Sequence, residues 1–204
     1  MFLYDCLAGD PDWRCTAFID DGKAGEEHFG VPIFAADRYD PAAGRNALLA
    51  VGFPALRRKM VDRLSPLGLE WRTYVDRRSM VGAGAMLGRG VLVLSFAAIA
   101  SGVRIGDFSY ISAYAHAGSR ARIGNYVSVM TAAVVGDSVV GDGCTIGLKS
   151  ACIDGAVIGE GATIAPYTCV RRSAPPGSLV AGPTARIMTR NDRAAGDAAQ
   201  FRET

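Results

Sequence analysis

A six-residue repeat constrains the fold more than any other feature of the chain. It runs over residues 81–170 in blocks such as LGRGVL, IGDFSY, IGNYVS and IGEGAT, and its register slips once, by one residue, between Val135 and Val140. The first position of a block is almost always Val, Ile or Leu, and the fifth is always a small residue. This period is neither that of an α-helix nor that of a simple strand, whereas fixed self-similarity is typical of a solenoid.

The physical interpretation of the repeat is a short strand followed by a corner, so that three strands close one triangular coil. The branched residue at position one points into the coil, and position five must be small because the narrow interior leaves little room. Glycine recurs at position two, where backbone crowding or an unusual dihedral angle excludes larger residues. A β-sandwich is excluded because its regularly spaced turn clusters are missing from the sequence.

The two ends of the chain lack the repeat. The segments CTAFIDD, VPIF and ALLAVG have the composition of strands, and PALRRKMVDRLSPLG that of a helix that ends at Gly68. We therefore predict three parts, which are an α/β domain over residues 1–76, a β-helix over 77–170 and a C-terminal segment over 171–204. The Pro-Pro-Gly sequence that starts at Pro175 is expected to end the regular coil.

Charge and cysteine content exclude several classes of function. The chain has 22 Lys and Arg residues against 20 Asp and Glu, so no sequence-wide basic field favours nucleic acid. The five cysteines are odd in number and form no C-x-x-C pair, which indicates a reducing cytoplasm. Residues 1–13 do not resemble a signal peptide, and the longest uncharged run, residues 90–103, is too short to cross a bilayer. We expect a cytoplasmic protein without membrane insertion.

Several motifs, taken together with the repeat, resemble those of the bacterial left-handed β-helix sugar acyltransferases. They are FIDD, GVPIF, VGFPALRRKMVDRL and the closing AGPTAR. The resemblance is to the group that N-acetylates nucleotide-linked amino sugars for surface glycans. It implies a homotrimer of left-handed parallel β-helices, an N-terminal Rossmann-like domain for the nucleotide sugar, and acetyl-CoA as a co-substrate between adjacent β-helices. The first strand of that domain and its Gly-rich turn are expected to be absent here.

In this family the sugar amine attacks the thioester carbonyl directly, and a histidine with an acidic neighbour takes the amine's proton. Anchored on Ile123 and Gly124, the family positions of the histidine and the acid fall on Ser119 and Arg120. His116 lies three residues too early, a span of about 10 Å in extended chain. His116 is therefore a surface or trimer-face residue, a contact to substrate or CoA, or a base in a shifted place.

The resemblance also implies which residues contact the ligands. We carry over Ser128 as a contact near the acetyl group, and Asp20 and Asp21 as contacts near the nucleotide base, with a solvated turn as the alternative for the two aspartates. Arg120 is a candidate for disfavouring a protonated substrate amine. The resemblance assigns the pantetheine to Gly136, Leu148, Ala165 and Pro166. It assigns the CoA phosphates to a cationic group made of Lys149, Arg171, Arg172, Arg186 and Arg190, for which a solvated charged face is the alternative.

Two functions follow from these observations. The first is an acetyl-CoA-dependent acyltransferase that acetylates the amino group of a nucleotide-activated amino sugar. The second is a non-catalytic trimeric β-helix protein, a sugar-nucleotide binder or scaffold, that has lost the general base. A zinc-dependent hydratase on the same β-helix is excluded because the coils contain a single histidine, His116, and we expect no metal.

Overall fold

The six-residue repeat folds into a parallel β-helix, as its period predicts. The computed structural model describes residues 2–153 and 155–182. Successive strands of the coils are two residues long and belong to three sheets in turn, and every pairing between neighbouring coils is parallel. The closing motif AGPTAR is described only as far as Gly182, and Arg186 and Arg190 lie outside the described residues.

Two α-helices and five strands precede the coils. These elements are α1 (Phe2–Ala8), β1 (Phe18–Ile19), β2 (Glu27–His28), β3 (Val31–Phe34), β4 (Asn46–Ala47), α2 (Pro54–Leu64) and β5 (Glu70–Trp71). The strands of the coils are β6 (Tyr74–Val75), β7 (Met80–Val81), β8 (Met86–Leu87), β9 (Leu92–Val93), β10 (Ala98–Ile99), β11 (Arg104–Ile105), β12 (Tyr110–Ile111), β13 (His116–Ala117), β14 (Arg122–Ile123), β15 (Ser128–Val129), β16 (Val134–Val135), β17 (Val139–Val140), β18 (Thr145–Ile146), β19 (Ala151–Cys152), β20 (Val157–Ile158), β21 (Thr163–Ile164), β22 (Cys169–Val170) and β23 (Leu179–Val180).

The three sheets of the coils have different lengths. The six-stranded sheet has the order β22-β19-β16-β13-β10-β7, and the five-stranded sheet β20-β17-β14-β11-β8. The seven-stranded sheet has the order β23-β21-β18-β15-β12-β9-β6, so it begins at Tyr74 and ends at Val180.

The interior of the coils confirms the predicted roles of positions one and five. Position one is the second residue of each strand, and there Ile99, Ile111 and Ile146 are completely buried. Position five holds Ala97 and Ala115, which are equally buried because the small side chain lets neighbouring coils approach. Alternation along each two-residue strand therefore places its second residue inside and its first on the outer face.

The register slip is absorbed in a single corner. Between β16 and β17 the block is one residue short, and the N–H of Ser138 donates to the carbonyl of Gly136 at 2.8 Å. The next strand nevertheless stays in register, because Val139 pairs with Arg122 of the coil before it. The slip therefore tightens one corner and leaves the three sheets continuous.

The expectation that the coil ends at the Pro-Pro-Gly sequence is wrong. After these residues β23 still pairs with β21 in the seven-stranded sheet, and Thr163 is in register with Leu179. The prolines occupy the corner, where a missing N–H removes no ladder hydrogen bond. The N–H of Gly177 then donates to the carbonyl of Glu160 at 2.8 Å, which stacks this corner on the corner of the coil before it.

The region before the coils is a small α/β unit with two separate sheets. Strand β3 pairs in parallel with β1 and antiparallel with β2, while β4 pairs in parallel with β5. The predicted helix ends as expected, because α2 passes into a 3₁₀ turn and Gly68 takes the left-handed conformation at φ 59°. Side chains of α1, Leu3 and Leu7 among them, pack on Leu92 and Leu94 and cover part of the seven-stranded sheet.

A buried carboxylate connects the first coils. Asp76 accepts hydrogen bonds from the backbone N–H, Nε and Nη2 of Arg78 and from the hydroxyl of Ser95. The Ser95 hydroxyl also lies 3.1 Å from the sulfur of Cys6 in α1. The hydrogen bonds from Arg78 hold the pKa of Asp76 well below its ordinary value. The network therefore stabilises the contact between the first coils and α1 only while Asp76 is ionised.

We expect acid to destabilise the protein through this carboxylate. Because its pKa is lowered in the folded state, the unfolded chain binds more protons, and the stabilisation present above about pH 5 is lost as the pH falls. Urea unfolding at several pH values should show a loss of about 1 kcal/mol by pH 3. In Asp76→Asn this dependence should be flatter, while the exposed control Asp12→Asn should keep it; equal slopes in all three proteins would contradict the assignment.

Candidate functional site

The sequence positions expected to hold the base form a corner of the β-helix. Gly118, Ser119 and Arg120 connect β13 of the six-stranded sheet to β14 of the five-stranded sheet, and both Ser119 and Arg120 are exposed. In the next coil the shortened corner lies beside them, and Nη2 of Arg120 is 2.6 Å from Oδ2 of Asp137. We call residues 118–120 and 136–138 the Ser119 corner. It brings together three predicted residues, Ser119, Arg120 and Gly136, and one carboxylate that sequence reasoning missed, Asp137.

His116 does not lie in this corner. It is exposed on the outer face of the six-stranded sheet, where it pairs with Ala98 in one neighbouring coil and Val134 in the other. The expectation that His116 cannot take the place of Ser119 agrees with this placement, because one residue is on a strand and the other on a corner. Its role as surface residue, ligand contact or base stays a prediction.

The residues predicted to contact pantetheine flank one sheet. Gly136 is in the Ser119 corner, at one border of the six-stranded sheet. Leu148, Ala165 and Pro166 occupy two successive coils of the corner at its other border, where the seven-stranded sheet ends and the six-stranded sheet begins. The outer face of the six-stranded sheet therefore separates Gly136 from the other three residues that the sequence analysis assigned to pantetheine.

The outer face of the six-stranded sheet carries no Lys, Arg, Asp or Glu among its strand residues. The outward residues are Met80, Ala98, His116, Val134, Ala151 and Cys169. By contrast, the five-stranded sheet presents Arg104 and Arg122 side by side in the ladder, and both are exposed. The six-stranded face is mostly apolar, and His116 is its one imidazole.

The assignment of Ser128 to the acetyl group is not supported by its position. Its side chain is completely buried under the N-terminal region, where the hydroxyl donates to the carbonyl of Gly52 at 2.6 Å and accepts from Nη2 of Arg57 at 2.9 Å. Arg57, from α2, also donates to the carbonyls of Tyr126 and Val127. Ser128 therefore joins the N-terminal region to β15 of the seven-stranded sheet instead of facing a ligand in the single chain.

The N-terminal region contains a cleft of about 710 Å³. Asp20 lines it and uses its carboxylate to accept the N–H of Gly22. Asp21 instead accepts the N–H of Ala36 and forms an ion pair with Arg63 of α2. The other walls combine cations and aromatic rings, namely Arg14, Lys23, Arg45, Arg72, Trp13, Trp71 and Tyr39. Asp20 thus holds the turn that contains it and borders the cleft, whereas Asp21 joins that turn to Ala36 and to α2.

The predicted cationic group is described only in part. The ammonium of Lys149 lies 5.8 Å from the centre of the Tyr167 ring, and Arg171 and Arg172 are exposed beyond β22. Among residues 2–153 and 155–182, no group of three or more His, Cys, Asp or Glu side chains is placed to hold a metal ion. Within the same residues, neither α-helix has the length and apolar character needed to span a bilayer.

Known structures resemble this fold over most of its length. WeeI from Acinetobacter baumannii AYE is 27% identical, with a TM-score of 0.79 over 84% of this chain and 85% of that one. The acetyltransferase domain of PglB from Neisseria gonorrhoeae FA1090 is 19% identical, with a TM-score of 0.71 over 92% and 93%. A histidine-to-alanine mutant of GDP-perosamine N-acetyl transferase from Caulobacter crescentus, in complex with CoA and GDP-perosamine, is 20% identical, with a TM-score of 0.74 over 93% and 91%.

No protein-family model and no curated protein matches the sequence. The similarity therefore rests on three-dimensional structure, which extends over the N-terminal α/β region as well as the coils. This chain is a structural match to the bacterial sugar N-acetyltransferases whose parallel sheets form a left-handed β-helix.

Proposed function

We propose that this protein is an acetyl-CoA-dependent N-acyltransferase that acetylates the amino group of a nucleotide-linked sugar for a bacterial surface glycan. The observation that carries the proposal is the structural match over nine-tenths of the chain to an N-acetyltransferase that holds CoA and GDP-perosamine. A second match, the PglB acetyltransferase domain, is known in complex with acetyl coenzyme A. Because both regions of the chain are included, the proposal covers the sugar nucleotide as well as the cofactor.

The cleft in the N-terminal region is the proposed site of the nucleotide. Aromatic rings such as Trp13 and Trp71 can stack on a base, and cations such as Arg14, Lys23 and Arg45 can pair with phosphates. Asp20, at the border of the cleft, supplies a carboxylate for hydrogen-bond donors of the base or ribose. This combination of rings, cations and one acceptor is the chemistry of a nucleotide site.

The proposed transfer site lies along the six-stranded sheet. Ser119 and Arg120 at one border and Leu148, Ala165 and Pro166 at the other would face acetyl-CoA bound beside the outer face, between this chain and a second copy in a homotrimer. A mostly apolar face whose strands carry no Lys, Arg, Asp or Glu suits this arrangement, because a neighbouring chain can pack on it without burying unpaired charge. We place the reaction in the cytoplasm, where the five cysteines stay reduced and acetyl-CoA is available.

A second candidate function has its own support. Ser119 and Arg120 stand where the resembling family has a histidine and an acid, and a serine hydroxyl is too weak a base to replace an imidazole. The alternative is therefore a trimeric binder of sugar nucleotide and CoA without turnover. Binding of acetyl-CoA measured by calorimetry, in the absence of any thiol release, would favour this binder over the enzyme.

The two functions are separated by a thiol-release assay with acetyl-CoA and several nucleotide-linked amino sugars, including GDP-perosamine. We expect the wild type to turn over, and we expect Ser119→His to raise kcat by about tenfold or more, because a positioned base contributes at least that factor. The matched control is Ser101→His, which places the same imidazole on the equivalent exposed corner one coil earlier. No turnover in the wild type together with turnover in Ser119→His would identify a binding protein that has lost the general base of an enzyme.

A further inference from the structure

The Ser119 corner contains one carboxylate, that of Asp137, which has no role in the function proposed above. Strands β13 and β16 are in register, with Ala117 opposite Val135, so the corners that follow them lie one above the other. Oδ2 of Asp137 is 2.6 Å from Nη2 of Arg120, and the two side chains are 47% and 79% exposed. A carboxylate thus lies in the coil next to the corner from which the family pattern has lost its base.

The register slip brings Asp137 to this place. With one residue fewer than the other corners, the segment turns through the hydrogen bond from the Ser138 N–H to the Gly136 carbonyl, and Asp137 is the residue at its apex. The flanking Ser138 is buried, whereas the Asp137 side chain remains exposed beside Arg120. Neither residues 100–103, in the same corner one coil earlier, nor residues 118–121 contain another Asp or Glu.

We propose that Asp137 accepts the proton of the attacking amine in the acyl transfer, in place of a base at position 119. This inference rests on the proposed function and names a further catalytic residue for it. Arg120 holds the carboxylate at the corner of the free protein, and the substrate amine displaces the guanidinium when it binds.

The chemistry balances without any further reactant. The lone pair of the amine forms the N–C bond to the thioester carbonyl carbon, and the C–S bond breaks with its electrons on sulfur. The attacking nitrogen, cationic once the bond has formed, gives its proton to Oδ of Asp137, which passes it to the CoA thiolate. Asp137 ends as a carboxylate, and the products are the amide and the free thiol. Once the new N–C bond has made the nitrogen cationic, its proton is acidic enough for a carboxylate to take.

A simple surface ion pair and a proton acceptor predict different results. Asp137→Asn and Arg120→Gln remove the same contact, so a merely structural pair gives two equal and small effects. If Asp137 accepts the proton, Asp137→Asn should lower kcat by about 100-fold or more, with the KM for acetyl-CoA and the melting temperature unchanged. Arg120→Gln should instead raise kcat, by up to about fivefold, the factor that corresponds to opening an exposed ion pair.

Two further variants complete the experiment. Asp137→Glu keeps the carboxylate and should retain part of the activity, and Ser119→His should restore turnover when added to Asp137→Asn, because it supplies a new acceptor in the same corner. Equal kcat values for Asp137→Asn and Arg120→Gln, or a fall in Arg120→Gln alone, would overturn the role of Asp137 while leaving the acyltransferase intact. A wild type that neither binds acetyl-CoA nor releases thiol would overturn both proposals.

Discussion

Replacement of Arg57 by leucine is expected to lower the free energy of unfolding by about 3 to 5 kcal/mol. Arg57 is one of the most deeply buried residues of the chain, and it donates through Nη1 to the carbonyl of Val51 at 2.7 Å. Its Nη2 group donates to the carbonyls of Tyr126 and Val127, both at 3.1 Å, and to the hydroxyl of Ser128. Burial lowers the pKa of the guanidinium to about 10, so it is still cationic at neutral pH.

The large effect follows from what the substitution leaves behind. Leucine fills much of the volume of the arginine side chain but cannot donate hydrogen bonds. The carbonyls that Arg57 contacts therefore lose a donor between α2 and the coils, and each buried carbonyl without a donor is costly. Arg58→Leu is the matched control, because Arg58 is the next residue of α2, is exposed, and only covers the ring of Tyr126 at 4.8 Å. Urea unfolding at one protein concentration measures both, and the control should lose less than about 1 kcal/mol. Equal losses of unfolding free energy in the two variants would show that the hydrogen bonds of the buried guanidinium only offset the cost of its desolvation.

Alanine at Gly147 is expected to destabilise the coils by about 3 kcal/mol, the upper end of the range for overpacking. A Cβ atom added there would lie 2.5 Å from the carbonyl oxygen of Ile164 and 2.7 Å from the nitrogen of Pro166. These neighbours are backbone atoms of the next coil, which cannot move without breaking the ladder between β18 and β21. The position-two glycine is thus required by the stacking of successive corners.

Gly118 is the matched control, because it has the same position in its own block but faces the shortened corner. The nearest atom to its added Cβ is the Cα of Gly136 at 3.4 Å, an ordinary contact. We expect Gly118→Ala to cost less than about 1 kcal/mol by thermal or urea unfolding. Similar losses in Gly147→Ala and Gly118→Ala would mean that the slip makes no room and that position two is restricted for another reason.

Most of the fold was predictable from the sequence because the signals are local, each arising within one block of the repeat or within one helix. A branched residue at position one and a small residue at position five are requirements of each block, so Ile99 and Ala97 reveal their burial without knowledge of their neighbours. The helix over Pro54–Leu64 and its left-handed Gly68 follow from equally local preferences. The exception is the corner at Pro175, where a strong breaker signal was wrong because corners tolerate proline.

The candidate site was harder to predict because it depends on which residues meet across coils. Asp137 meets Arg120 only because the slip falls in the corner directly beside Ser119, and nothing in the block VGDSV by itself indicates that partner. Ser128 has an outward position in its strand, which suggests exposure until the N-terminal region is packed over it. A signal for Arg57 did exist, since it precedes Val61 and Leu64 at the spacing of one helical face.

The sequence by itself determined the β-helix, the inward side chains, the location of the slip and the α/β character of the first region. These properties repeat or are local, and short-range sterics and burial are enough to specify them. Tertiary structure alone decided that Ser128 is buried by Arg57, that Asp21 pairs with Arg63, and that Asp137 faces Arg120. Each of these contacts joins elements that are distant in the chain or lie in different coils, so they exist only once the N-terminal region has docked and the coils have stacked.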